Sequence, residues 1–377
     1  MDFNESIASQ VTRHARLMAS LEANQLQALV LNPGPSLLYL TGLHFHLSER
    51  PVVACFMPDI QPAIVLPEME AGKAAACQLP LQIFPYEEDP HTWIRAFRQA
   101  AQALKLPPHC QIGIESRSLR VLELRLLEEA MADARFVDAG LLLESLRMLK
   151  DHSEIMAMRK AVEVAQAALQ ASLPHVRLNM SESELASELT FQLLRLGSDP
   201  ELAFSPIVAT GPNSANPHAR PGDRPLQPGE LLLLDWGARV SGYVSDLTRT
   251  FALGEINPEI AHISRITAEA NAAGRAAARP GALASEVDRA ARAVIEEAGF
   301  GPQFTHRTGH GIGLDSHEAP YIRAGNPMPL EPGMTFTIEP GIYLPGRGGV
   351  RIEDNLLITA DGNECLTSLD RSLLLVT

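Results

Sequence analysis

Asp235 closes the run LLLLDW, so a carboxylate sits where the local pattern calls for a buried side chain. An isolated buried charge is very costly, which leaves three states for it: paired, protonated or bound to a metal ion. Asp246 follows eleven residues later in S-D-L-T-R-T-F, beyond a turn at Ser241-Gly242 that would fold the two segments into a hairpin and set the carboxylates face to face. Two such groups could not both ionise without a cation between them. His310 stands between glycines in T-G-H-G-I-G, where the backbone can approach its surroundings closely. Glu339 in T-I-E-P-G and Glu353 in V-R-I-E-D each end an apolar, β-branched run. Oxygen ligands with one imidazole suit Mn, Co or Zn. Four carboxylates able to bridge make the expected centre dinuclear.

Each of these residues also has an ordinary structural reading. Asp235 and Asp246 could be turn or cap residues, His310 a structural member of a glycine loop, Glu339 a strand end before Pro340, and Arg351 a salt-bridge partner of Glu353. Acids on several apolar strands, together with a glycine-flanked imidazole, favour the metal over that set of coincidences. The glycines within 345–349 do not make a phosphate loop, because the G-K-[ST] ending is missing.

Such a site needs rigid elements beneath it. The stretch 26–40 reads as a helix end, a short buried strand, a turn at 33–35 and a helix start, and apolar runs predict further strands over 52–57, 63–66 and 111–114, alternating with helical patterns over 92–104 and 121–132. That alternation predicts an α/β domain. A long helical pattern fills 141–171 with a start signal at Asp151 and Ser153 inside it, and the domain boundary is placed there, giving domains over 1–142 and 143–377. Ser181 and Glu184 have capping-box spacing ahead of another helix. Beyond Pro200, strands are expected over 207–210, 231–236, 245–251, 335–340 and 350–359, with Ala-rich helices over 258–278 and 284–298. The second domain is therefore α+β, with the candidate ligands on or at the ends of strands of a curved, mainly antiparallel sheet.

Composition narrows the function. The chain has 377 residues, enough for two domains that each bury a core, and a net charge of -14 that disfavours nucleic acid and anionic membranes as partners. Cys55, Cys77, Cys110 and Cys365 form no C-x-x-C pair and read as reduced packing residues. No signal peptide and no run of roughly 20 apolar residues is found, so a cytoplasmic protein is expected.

The order and spacing of the five candidate ligands resemble the pita-bread metallopeptidases, which include methionine aminopeptidase, aminopeptidase P, prolidase and their relative creatinase. Four more residues match by offset: His218 lies seventeen before Asp235, His306 four before His310, His317 seven after it, and Arg351 two before Glu353. NPGPSLLYLTG at 32–42, and LRMLK at 146–150 followed by Glu154 and Ile155, resemble the creatinase, prolidase and aminopeptidase P branch, whose first domain methionine aminopeptidase usually lacks. The resemblance implies a creatinase-like N-terminal domain, a pita-bread catalytic domain, two divalent ions with Mn foremost, and a homodimer. It also implies hydrolysis of the bond preceding proline, with Glu339 handling protons while binding metal, His218 and His317 facing the substrate carbonyl and oxyanion, His306 supporting the pocket and Arg351 approaching the proline side. The gap from Glu339 to Glu353 is only fourteen residues, which fits compact bacterial prolidases acting on Xaa-Pro dipeptides. Aminopeptidase P activity on longer peptides is the alternative. A small-metabolite C–N hydrolase such as ectoine hydrolase or creatinase is a further one, against which the intact ligand set counts.

Overall fold

Alternation of short apolar runs with amphipathic helices builds the first of two units, Met1–Arg147 and Met148–Thr377, in a computed structural model that describes residues 3–376. Its elements are α1 (Phe3–Ala23), β1 (Ala28–Leu31), α2 (Pro35–Thr41), β2 (Val53–Met57), β3 (Ile60–Pro67), α3 (Ala71–Ala75), β4 (Gln82–Tyr86), α4 (Pro90–Leu104), β5 (Gln111–Ile114), α5 (Val121–Ala130), β6 (Arg135–Asp138) and α6 (Gly140–Met148). The sheet order is β4-β3-β2-β1-β5-β6, antiparallel across β1, β2 and β3 and parallel elsewhere. All four residues of β1 are buried, as expected of a central strand covered on both faces. Helix α4 turns Trp93, Ala96, Phe97, Ala100 and Leu104 onto this sheet at helical spacing. Sequence patterning caught only a helix end ahead of β1, not the length of α1, and missed the two edge strands. Strand β4 carries Pro85 and β6 carries Arg135 and Asp138, residues that edges tolerate and central strands do not.

The second unit begins with α7 (His152–Ser172) and α8 (Glu182–Arg195), both opened by capping boxes. At the first, Asp151 Oδ1 accepts from the Glu154 N–H and Glu154 Oε2 from the Asp151 N–H, each at 2.9 Å, so the expected long helix over 141–171 is cut into α6 and α7. Then come β7 (Ile207–Thr210), β8 (Glu230–Trp236), β9 (Arg239–Val240), β10 (Tyr243–Val244), β11 (Leu247–Leu253), α9 (Pro258–Ala277), α10 (Ala284–Glu297), β12 (Gly309–Gly311), β13 (Glu318–Ile322), β14 (Thr335–Ile338), β15 (Gly341–Leu344), β16 (Gly348–Arg351), β17 (Asp354–Ile358), β18 (Asn363–Cys365) and β19 (Leu374–Leu375). Two main sheets form, β19-β11-β8-β7 and β13-β12-β14-β17-β18, and an antiparallel bridge between Thr248 and Glu353 ties them together.

The four leucines before Asp235 are explained by burial on both faces of β8. Leu232, Leu234 and Trp236 pack with Ala165, Leu169, Leu185 and Leu189 of α7 and α8, while Leu231 packs with Ile263, Ile266 and Ala270 of α9. Asp235 alternates onto the same face as Leu231. The expected strand over 350–359 is corrected: it is two strands, β16 pairing with β15 and β17 with β14, and the break at Ile352-Glu353 lets the Glu353 carboxylate leave both ladders. Of the glycines of 345–349, Gly346 lies in the β15–β16 turn while Gly348 and Gly349 begin β16, opposite Leu344 and Tyr343.

Candidate metal centre

The hairpin expected around Ser241-Gly242 is present. Strands β8 and β11 pair in antiparallel register with Asp235 opposite Thr248, which leaves Asp246 just beyond the last pair. Asn355 of β17 fixes Asp246 from the other sheet: its Oδ1 accepts from the Asp246 N–H at 3.1 Å and its Nδ2 donates to the Asp246 carbonyl. Strands β14 and β17 pair Ile338 with Asp354, so Glu339 and Glu353 face one another at adjacent strand ends. His310 comes from β12, and its two glycines are needed there. A Cβ at Gly309 would lie 1.8 Å from the Thr337 carbonyl and one at Gly311 2.1 Å from the Ala319 carbonyl.

The five side chains converge. His310 Nε2 lies 3.7 Å from Asp246 Oδ2 and 3.3 Å from Glu339 Oε1, and one ligand atom each from Asp246, His310 and Glu353 fall within 4.8 Å of one another. His310 Nδ1 sits 3.1 Å from the Gly311 carbonyl, which can only accept, so Nδ1 carries the proton and Nε2 points a lone pair at carboxylates. Burial pushes the His310 pKa well below its ordinary value, with the His317 ring and Arg307 adding to the shift. Burial, then the neighbouring carboxylates, pushes Asp246 and Glu353 well up, and burial raises Glu339 to about 7.

A divalent cation resolves this arrangement. Asp235 Oδ1 and Glu353 Oε1 are buried and have no hydrogen-bond partner, and the cluster of acceptors contains no donor that could satisfy them all. The other oxygens are held in place: the Thr248 hydroxyl donates to Glu353 Oε2 at 2.7 Å, and Arg351 Nη2 donates to Asp235 Oδ2 at 2.5 Å. Four carboxylates with a neutral imidazole whose other nitrogen is anchored to a carbonyl make the donor set of a hard or borderline metal. The residues fit the group.

A cavity of about 570 Å³ opens over the cluster. His218, His306 and His317 line it, as do Arg307 and the apolar side chains of Phe204, Ile207 and Pro217. His317 packs edge-on to His310 with ring centroids 4.1 Å apart, and burial lowers its pKa. His218 is exposed on the loop after β7. His306 is locked. Its Nδ1 donates to the Arg307 carbonyl at 2.7 Å and its Nε2 lies 2.8 Å from the Tyr343 hydroxyl, with burial holding its pKa down to about 4. Arg351 is 4% exposed, and four of its five N–H groups are committed: Nε to Thr248 Oγ1, Nη1 to the Pro217 carbonyl and Tyr343 Oη, Nη2 to Asp235.

Sequence reasoning missed Thr248, Asn355, Tyr343 and Arg307. The first three look like ordinary strand residues, and only tertiary contacts give them meaning, more than 100 positions away for Thr248 and Asn355, and with His306 and Arg351 for Tyr343. Arg307 did carry a signal, a cation inside the H-R-T-G-H loop.

Fold and cluster together define a metal-dependent hydrolase. Residues 156–360 match metallopeptidase family M24 and residues 13–149 match the creatinase/prolidase N-terminal domain, so the chain belongs to that metallopeptidase family. It is 33% identical over 359 residues to an Xaa-Pro dipeptidase of Lactobacillus delbrueckii subsp. lactis, covering 95% of this chain and 97% of that one. Its structure is similar to dipeptidase PepE from Mycobacterium ulcerans (TM-score 0.89, 34% identity, 98% of each chain). It is also similar to a prolidase from Thermococcus sibiricus (TM-score 0.90, 31% identity, 99% of each chain).

Proposed function

We propose that the chain is an Xaa-Pro dipeptidase, a prolidase, in which Asp235, Asp246, His310, Glu339 and Glu353 hold two divalent ions, Mn being the metal assigned. The observation that carries this reading is the buried, acceptor-only cluster with two unpartnered carboxylate oxygens under an open cavity. Relatives named Xaa-Pro dipeptidase and prolidase, similar along nearly the whole chain, support the choice of bond. A cytoplasmic homodimer is assigned on the family resemblance; four free cysteines, two of them buried, are in keeping with a reducing compartment.

When bound, two metal ions would lower the pKa of a shared water towards ~7 and polarise the scissile carbonyl. The chain's own groups supply the rest. By family resemblance Glu339 would take a proton on its carboxylate and return it to the departing proline nitrogen. His317, neutral at pH 7 because burial lowers it, donates an N–H towards the substrate carbonyl, and His218 does so from the cavity mouth. His306 holds Tyr343, and Arg351 holds Asp235 against drifting from the cluster. A proline nitrogen has no N–H and its ring fixes φ, so strand-like backbone recognition is weak and a pocket must take the ring. Phe204, Ile207 and Pro217 offer an apolar wall for it.

Hydrolysis of Ala-Pro and Ala-Pro-Ala by metal-stripped protein resupplied with Mn tests the reading. Ala-Pro is expected to be cleaved only after resupply, and faster than the tripeptide. Preferential cleavage of Ala-Pro-Ala would make the protein an aminopeptidase P, and no metal-dependent cleavage of either would refute the proposal.

A further inference from the structure

Helix α8 opens with a fully buried carboxylate that the chemistry described above does not use. Glu182 sits in the first turn of that helix and is 0% exposed, and both of its oxygens accept from one segment of chain. Oε1 receives the Thr210 N–H at 2.8 Å and Asn213 Nδ2 at 3.0 Å, while Oε2 receives Asn213 Nδ2 at 2.9 Å and the Gly222 N–H at 3.1 Å. These partners lie 28 to 40 positions away and bracket the loop 211–221, which carries His218. The helix start adds N–H groups that have no partner within the helix. The Glu182 N–H donates to the Arg224 carbonyl and the Ser183 N–H to the Gly222 carbonyl, each at 3.0 Å.

The loop is held again further along. Ser214 Oγ accepts from the Gly349 N–H of β16 at 2.8 Å, and the Pro217 carbonyl accepts from Arg351 Nη1 at 3.3 Å. His218 depends on this framework. Its N–H donates to Asn216 Oδ1 at 3.1 Å within the loop, while its exposed ring, at the mouth of the cavity, makes no hydrogen bond among the described residues. A ring with no partner of its own goes where its backbone goes, and a displacement of about 1 Å at a reacting group can slow turnover ~100-fold. Glu182, being fully buried, acts on the cavity only through that backbone.

We propose that Glu182 is a positioning residue: its buried carboxylate ties both ends of the 211–221 loop to the start of α8 and thereby sets the His218 imidazole against the substrate carbonyl. This rests on the Xaa-Pro reading above, in which His218 meets that carbonyl. The groups around Glu182 all offer hydrogens to it. Glu182→Gln, nearly the same in shape, therefore turns an NH2 group towards an N–H and leaves a donor at one end of the loop without its acceptor.

The test measures kcat and KM for Ala-Pro with Mn-loaded wild type, Glu182→Gln, His218→Ala and the double variant, and follows hydrogen exchange and Mn binding in the same proteins. Glu182→Gln is expected to lower kcat about tenfold with KM within about twofold, because a donor to the developing oxyanion has been displaced. Exchange rises within 210–222 alone, and Mn binding is unchanged. On the His218→Ala background the same change lowers kcat by less than about twofold, since the ring it would displace is already gone. Equal losses in both backgrounds, a wild-type kcat in Glu182→Gln, or weakened Mn binding would overturn the proposal. Should His218→Ala turn over too slowly to measure, exchange decides: opening confined to 210–222 with the lowered kcat supports the proposal, and no opening there, or opening spread through α8 and β8, overturns it. Should Glu182→Gln not fold, Asn213→Ala removes one donor of the same network and is read by the same criteria, with a smaller loss of kcat expected. If wild type shows no metal-dependent cleavage of Ala-Pro, the proline reading fails and this inference falls with it; if wild type cleaves and the two losses multiply, only this inference falls.

Discussion

Asp246→Asn is expected to cut Mn-supported turnover by more than about a hundredfold while making the metal-free protein more stable at pH 8. The loss follows from scale: removing a mere outer partner of a metal ligand costs ~10–100-fold, and this change weakens a proposed ligand itself. The gain in stability follows from sign. Burial first, and the charges of Glu353, Asp235 and Glu339 next, raise the Asp246 carboxyl well above its ordinary value. The folded metal-free chain therefore holds that proton more tightly than the unfolded chain does. Its contribution to stability is complete below the unfolded pKa of ~3.9 and is lost as pH climbs through the raised folded value. At pH 8 the carboxylate opposes folding, whereas a neutral amide of the same shape does not. A thermal melt of both proteins without metal checks this, with a shift of a few degrees expected at roughly 2–4 °C per kcal/mol and the gap closing towards pH 4. A variant that melts below wild type at pH 8, or turns over at the wild-type rate, would show that Asp246 has no part in a metal-neutralised cluster.

Asp354→Ala should be the most destabilising single change beside the centre. Asp354 is fully buried, and its Oδ1 receives Arg249 Nη2 at 2.7 Å while Oδ2 receives Arg371 Nε at 2.6 Å. Arg249 is itself 3% exposed and also donates to the Glu353 carbonyl at 2.7 Å, so the pair anchors the backbone that carries a candidate ligand. Removing one partner of a buried pair strands the other, at a cost of about 3–5 kcal/mol. That corresponds to a drop in melting midpoint on the order of 10 °C. The double variant Asp354→Leu with Arg249→Leu should recover part of the loss, because the Arg249 charge is no longer stranded, while Arg371 and the Glu353 carbonyl remain without their partners. A single variant that melts within a degree or two of wild type would show that the pair contributes little.

How much of this could be read in advance depends on the range of the interaction involved. Local signals held well: the capping boxes at Asp151 and Ser181 open α7 and α8, and the strand patterns over 111–114 and 207–210 coincide with β5 and β7. Buried central strands announce themselves through composition, as the leucines of β8 do. Edge strands such as β4 and β6 do not, because water satisfies their outer faces and polar residues or proline are admitted. The break between β16 and β17 was hidden because Val350, Ile352 and Leu356 keep an apolar texture across it. At the site, acids at the ends of apolar runs were conspicuous, whereas the neutral residues that aim them were not. Thr248 meets Glu353 across 105 positions and Asn355 meets Asp246 across 109, and no local pattern encodes such pairs. The commitment of Arg351 to Asp235, 116 positions away, was equally invisible.

Titration of Mn into the metal-free chain by calorimetry, with Ala-Pro hydrolysis followed on the same samples, bears most directly on the centre. Two ions per chain are expected, with activity saturating as the second binds and both binding events weakened in Asp246→Asn. Hydrolysis of Ala-Pro that survives complete chelation, or full activity with a single ion bound, would contradict the two-metal centre built from Asp235, Asp246, His310, Glu339 and Glu353.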